Sequence, residues 1–124
     1  MDIESLKHLC ASKSGADASY PFGEATLVFK VMGKMFALMP DRLSDGNHPT
    51  INLKCDPDFA LILRQTYAAV EPGYHMNKRH WNTVHIDGTI PDDEIGEMID
   101  QSYDLVVSLL PKKSQMELQG RNNS

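Results

Sequence analysis

The sequence has only 2 cysteines, Cys10 and Cys55, and they stand in no metal-binding or redox spacing. A disulfide framework and a cysteine-based zinc finger are excluded. Long apolar runs are also missing. Stretches such as Ala60-Leu61-Ile62-Leu63 and Leu105-Val106-Val107 fall far short of the ~18–20 residues that span a bilayer. Met1 to Lys13 carries Asp2 and Glu4 and no extended apolar segment, so no export signal is expected. The expected compartment is therefore the cytoplasm, with no membrane role. Positive charge is in deficit, with 12 Lys and Arg against 17 Asp and Glu and a net charge of −5. That excludes a protein that grips nucleic acid with its whole surface and leaves room for a local basic face. There is no Gly-rich phosphate loop, nucleophile elbow or His-Glu-x-x-His, and the chain is read as non-enzymatic and free of cofactors.

What is present fits one globular domain. The chain has 124 residues, of which 41% are hydrophobic and 23% charged, enough for a real core without covalent staples. Residues 1–112 read as the domain. Residues 113–124 read as a flexible tail, since Gly120-Arg121-Asn122-Asn123-Ser124 offers nothing to bury.

Periodicity predicts the elements. Asp2 caps a short helix whose Ile3, Leu6, Leu9 and Cys10 recur at helical spacing, and Ser14-Gly15 ends it. Ser19 to Gly23 reads as loop. A strand follows over Ala25 to Met32, with Leu27, Phe29 and Val31 on one side and Thr26, Val28 and Lys30 on the other. Gly33-Lys34 reads as the hairpin turn, with Lys34 at its tip, before a strand from Met35 to Met39. Arg42 to Pro49, with Asp45-Gly46-Asn47, reads as a polar loop. Thr50 to Cys55 alternates cleanly: Ile51, Leu53 and Cys55 face a core, and Thr50, Asn52 and Lys54 face outward. Asp56-Pro57 starts a helix expected to reach Val70 along the stripe Phe59, Ile62, Leu63, Thr66, Tyr67 and Val70. Tyr74 to His80 has no clear period, and Trp81 to Asp87 reads as a strand. A last helix runs from Pro91 to Pro111 on Ile95, Met98, Ile99, Ser102, Val106, Leu109 and Leu110. The order, α-βββ-α then one or two strands then α, predicts an α+β fold with a mainly antiparallel sheet.

Charge is divided along the chain. Asp87, Asp92, Asp93, Glu94, Glu97, Asp100 and Asp104 fall in a stretch without Lys or Arg. The densest chemistry is the preceding segment Pro72 to Asn82. There Lys78 and Arg79 suit phosphates, Asn77 and His75 suit hydrogen bonding, and His80 adds a second imidazole. Lys30, Lys34 and Lys54 extend that set from the strands, and Trp81 reads as core. His75, His80 and His85 are spaced by five, which is a same-face interval on neither a strand nor a helix, so no metal site is expected.

Pro21-Phe22-Gly23, Phe29-Lys30-Val31, Gly33-Lys34-Met35-Phe36, Asn52-Leu53-Lys54-Cys55 with Asp56-Pro57, Leu63-Arg64, Pro72 through Asn82, Ser102-Tyr103 and Leu110-Pro111-Lys112-Lys113 together resemble the MmcQ/YjbR family. Ser12-Lys13-Ser14-Gly15-Ala16 departs from that pattern, which usually has Leu-Pro-Gly. The resemblance implies the order α-βββ-α-ββ-α, including a strand near Tyr74 to Asn77. It also implies DNA binding through a double-wing arrangement of projecting loops, here Gly33-Lys34 and Lys78-Arg79. The expected reading is thus a monomeric, non-enzymatic DNA-binding domain. Its nucleic-acid contacts would be Lys30, Lys34, Lys54, His75, Asn77, Lys78, Arg79 and His80. The alternative is a protein-interaction or chaperone-like module.

Overall fold

The computed structural model describes residues 1–43 and 46–122. Its elements are α1 (Ile3–Ala11), β1 (Ala16–Ser19), β2 (Thr26–Val31), β3 (Lys34–Pro40), β4 (Thr50–Lys54), α2 (Pro57–Thr66), β5 (Val70–Pro72), β6 (Trp81–His85), α3 (Asp92–Ser108) and α4 (Lys112–Asn122). The strands form one antiparallel sheet in the order β1-β2-β3-β4-β6-β5. The α+β class and the expected order hold, with one extra strand and one extra helix.

The helices lie on one face of the sheet. Leu6 and Cys10 of α1, Ile95, Met98, Ile99 and Val106 of α3 and Leu118 of α4 share a core with Leu27, Phe29, Val31, Ala37, Met39, Ile51, Leu53 and Val84 of the strands. Burying each large side chain there stabilises the fold by roughly 1.5–3 kcal/mol. Buried Ser102 of α3 donates to the Phe36 carbonyl at 2.6 Å and accepts from the Lys54 amide at 2.9 Å, bonding α3 to two strands. Phe36 is available because β2 and β3 slip register between Phe29 and Lys30, leaving it the extra residue of a bulge.

The opposite face carries a smaller cluster. Val28, Leu38 and Trp81 pack together with Met35 and Met76. Residues 73–80 fold back over this face, with the Tyr74 amide donating to Thr83 Oγ1 at 3.0 Å. Trp81 is therefore core, as its size predicts, but on the side away from the helices. The chain leaves the sheet at Gly73, where an added Cβ would stand 2.8 Å from the Trp81 Cβ.

Some expectations are corrected. Ala16–Ser19 is an edge strand, not loop: its small residues carry no strand signal of their own, and pairing with β2 defines it. The hairpin turn is Met32-Gly33, with φ of 50° and 80°, the two positive values a type I′ turn demands. Lys34 is thereby the first residue of β3, opposite Val31, and not the tip. The second helix ends at Thr66, where Tyr67 is already extended, because Val70 is drawn into the sheet opposite Val84. Phe59 and Ile62 of its expected stripe are exposed, and so is Leu109, which caps the end of α3.

The added strand is Val70–Pro72, not Tyr74 to Asn77, which forms turns. Pro72, lacking an amide donor, is tolerated because β5 is an edge. The expected tail is helical as far as Asn122, and Leu118 anchors it in the core. Asp45 of the polar loop and Asn123 and Ser124 of the tail lie outside the described residues.

Candidate nucleic-acid interface

Strand alternation puts Thr50, Asn52 and Lys54 of β4 on the face away from the helices. The register carries Lys54 beside Trp81, and Lys30 beside Met35. Lys34, Met35, Lys54 and Trp81 line one concavity of about 420 Å3, closed on the far side by Val106, Leu109 and Leu110 at the end of α3. That helix end has no basic residue of its own. Its last carbonyls carry partial negative charge, so they favour the ammonium groups that the sheet supplies.

The turn with Lys78 and Arg79 joins the same end of the sheet. The Cys55 amide donates to the His80 carbonyl at 2.8 Å, which ties the turn to the residue after Lys54. Within the turn, the Asn77 side-chain oxygen accepts from the Arg79 amide at 3.0 Å, and the Asn77 carbonyl accepts from the His80 and Trp81 amides. Arg64 of α2 braces it from the helix side. Its guanidinium donates to Asn82 Oδ1 at 2.7 Å, to the Trp81 carbonyl at 3.3 Å, and to the Lys78 carbonyl. Arg64 is a residue that charge counting alone does not single out.

Lys30, Lys34, Lys54, Lys78 and Arg79 are thus brought to one end of the sheet. Among the described residues, none of them pairs with a carboxylate. Lys78 Nζ does donate to the Gly73 carbonyl at 3.1 Å, which leaves it further donors. Asp17 stands opposite Lys30 in the ladder and weakens the field there. Asp56, next to Cys55, spends its carboxylate on capping α2 through the Asp58 and Phe59 amides.

The acids of α3 are elsewhere. Asp92 meets the N-terminal amine, Glu94 accepts from the Tyr67 hydroxyl, and Asp100 pairs with Lys13, all on the helix-covered side.

The remaining expected contacts divide. Asn77 is exposed, but its oxygen is occupied by the turn. His80 is half-buried and serves the turn through its backbone. His75 is exposed and separate from the cationic end, with its ring against that of Tyr74 at a centroid distance of 4.0 Å. No group of three or more His, Cys, Asp or Glu suited to a metal occurs among the described residues. His85 takes part in a different chain, with its Nδ1 2.9 Å from His48 Nε2 and its Nε2 3.0 Å from Glu71 Oε2. No sequence spacing announces that cluster, since His48 in the loop before β4, Glu71 of β5 and His85 of β6 meet only through the tertiary fold.

A small α+β domain with one helix-covered face and one partly open face, cationic at one end, is the class of protein that this geometry defines. The YjbR family model matches residues 11–105, and the chain belongs to that family. It is 37% identical over 113 residues to the uncharacterized protein YjbR of Escherichia coli K12, covering 91% of this chain and 93% of that one. It is 38% identical over 112 residues to the uncharacterized protein YbdF of Escherichia coli O157:H7, covering 90% and 89%. The crystal structure of Deinococcus radiodurans protein DR2400 superposes with a TM-score of 0.85 at 37% identity, covering 95% of this chain and 88% of that one. No helix among the described residues is long and apolar enough to cross a membrane.

Proposed function

We propose that this protein binds DNA without catalysing a reaction on it, through the cationic end of its open sheet face. The observation that carries this reading is the convergence of Lys30, Lys34, Lys54, Lys78 and Arg79, which come from three separate stretches of chain and have no carboxylate partner among the described residues. Unpaired cations gathered on one face raise the local potential even where net charge is negative, because screening confines each charge to about 8–10 Å at ordinary salt. Asp92, Glu94 and Asp100 of α3, engaged on the helix-covered side, then orient a polyanion instead of repelling it from every approach. His75 lies apart over the open face, and His85 is engaged with Glu71 and His48.

Binding is tested by a salt titration with a labelled DNA duplex and with its single strands. Five phosphate contacts give a log–log slope near −4.5 for a duplex, about 0.9 per contact. No binding to either form at 50 mM salt, or a flat salt dependence, overturns the reading.

A further inference from the structure

Beside the cationic end, the open face holds a groove of about 510 Å3, lined mainly by apolar groups with Thr26, Thr50 and Asn52 among them. Its rim carries two aromatic rings turned to solvent, Phe22 at 65% and Tyr74 at 70% exposure. A soluble domain gains nothing for stability by displaying such rings, and rings flanking a groove are a means of stacking on something flat.

The rim is built. The Tyr74 amide donates to Thr83 Oγ1 at 3.0 Å, and that hydroxyl in turn donates to Asn52 Oδ1 on the groove floor. His75 beside it adopts φ 57°, in the left-handed region, and its ring lies against Tyr74. A non-glycine residue rarely adopts that conformation, and the anchored loop sustains it. Phe22, which also lines the groove, rides on the segment that Tyr20 fastens to Asp41 at 2.9 Å. Asn52 has its oxygen committed to Thr83, which leaves its amide hydrogens as donors at the floor.

Continuity with the cations names the occupant. Asn52 and Lys54 are on the same strand and face, two residues or roughly 7 Å apart. Leu38 and Met76 belong both to the groove and to the cluster that contains Trp81. A phosphate on Lys54 therefore puts the base of an adjoining nucleotide within reach of the groove, provided that the base is not already paired.

We infer that the groove takes an unpaired base of single-stranded DNA, stacked between Phe22 and the Tyr74–His75 pair, with Asn52 donating to its edge. This rests on the DNA-binding reading above and makes single strands the preferred form.

The test is fluorescence anisotropy with a labelled mixed-sequence 12-mer, its duplex, and an abasic 12-mer of the same length. The variants are Tyr74→Ala and Phe22→Ala, both at exposed rings. The expected result is at least about tenfold tighter binding of the single strand than of the duplex at 50 mM salt. Base–aromatic stacking is worth about 1–3 kcal/mol, so each variant should weaken single-strand binding about 5- to 150-fold. Duplex and abasic binding, and the salt slope, should be unchanged. Equal affinity for single strand and duplex, or no effect of either variant on the single strand, overturns the inference while leaving DNA binding through the cations intact. Absence of binding to all three probes overturns both. Tyr74-dependent binding of an extended Leu- and Phe-rich decapeptide, with no DNA binding, assigns the groove to protein docking and also overturns both.

Discussion

Arg64 and Asn82 meet across the edge of the main core, with Arg64 Nε donating to Asn82 Oδ1 at 2.7 Å. Asn82 is 2% exposed, and its Nδ2 is the buried side-chain polar atom left without a partner among the described residues. The guanidinium also holds the Trp81 and Lys78 carbonyls, so one side chain on α2 secures the turn that presents Lys78 and Arg79.

Arg64→Ala therefore leaves the buried Asn82 carboxamide oxygen without its donor, while the Trp81 carbonyl keeps the Gly73 amide at 2.8 Å. Urea unfolding should show a loss of about 1–3 kcal/mol, the cost of stranding buried polar groups. Arg64→Lys should restore little, because an ammonium lacks the planar fork. Arg64→Met combined with Asn82→Leu should recover part of the loss, since removing both partners removes the stranded groups. A single variant as stable as the wild type contradicts this account.

Lys78 and Arg79 are exposed and outside the core. Replacing both with Ala should leave thermal stability within about 0.5 kcal/mol of wild type. Duplex affinity should fall by a similar factor for every sequence tested, and the salt slope should shrink in magnitude by about 1.8, or 0.9 for each lost phosphate contact. A change confined to certain sequences would assign these residues to base readout instead.

Asp41 couples α1 to the segment bearing Phe22. Its carboxylate accepts from the Tyr20 hydroxyl at 2.9 Å and from Lys7 Nζ at 3.2 Å. The Tyr20 hydrogen bond first, and Lys7 second, hold its pKa below the ordinary 3.8. A carboxyl depressed in the folded state stabilises the protein above its unfolded pKa, and that contribution disappears as pH falls through the folded value. Between pH 5 and pH 3 the wild type should lose melting temperature more steeply than Asp41→Asn. Asp2 and Asp87 are depressed as well, so the variant should retain some acid sensitivity. Parallel profiles for the two proteins would remove Asp41 from the explanation.

Burial pushes the Cys10 thiol up to about 12 and raises that of Cys55 too, where neighbouring Asp56 adds to the effect. The thiolate is the reactive form, so both should resist iodoacetamide at pH 8 in the folded protein. Labelling should follow the unfolding curve in urea. Rapid labelling of either residue under native conditions would show an opening that this packing does not provide.

Much of the fold is legible in local residues. The strict alternation of Thr50 to Cys55 predicts both its strand and its two faces, and Asp56-Pro57 marks a helix start that the structure keeps. The acidic first turn of α3 likewise stands where the helix dipole favours it. Val70 shows where such reasoning stops. It fits a helical stripe, yet its place is opposite Val84, and no local signal weighs a strand pairing against one more helical turn. Val28 reads as outward-facing and is buried, with Leu38 beside it, because residues 73–80 return across them.

The residue types of the candidate site were all visible in the chain: cations in the strands and in the Pro72 to Asn82 segment, with aromatic rings beside them. Their convergence was not. It depends on the Met32-Gly33 turn, the bulge at Phe36 and the bond from Cys55 to His80, each of which shifts or ties a register by single residues. Composition and period alone determined the fold class, the starts of α1, α2 and α3, most strand positions and the separation of acidic from basic stretches, because these follow from contacts within a few residues. Tertiary structure alone decided which cations share a surface, which aromatic rings remain exposed, and that Arg64 braces the turn. Those outcomes come from pairing between strands distant in sequence, where a slip of one residue sends every side chain to the other face.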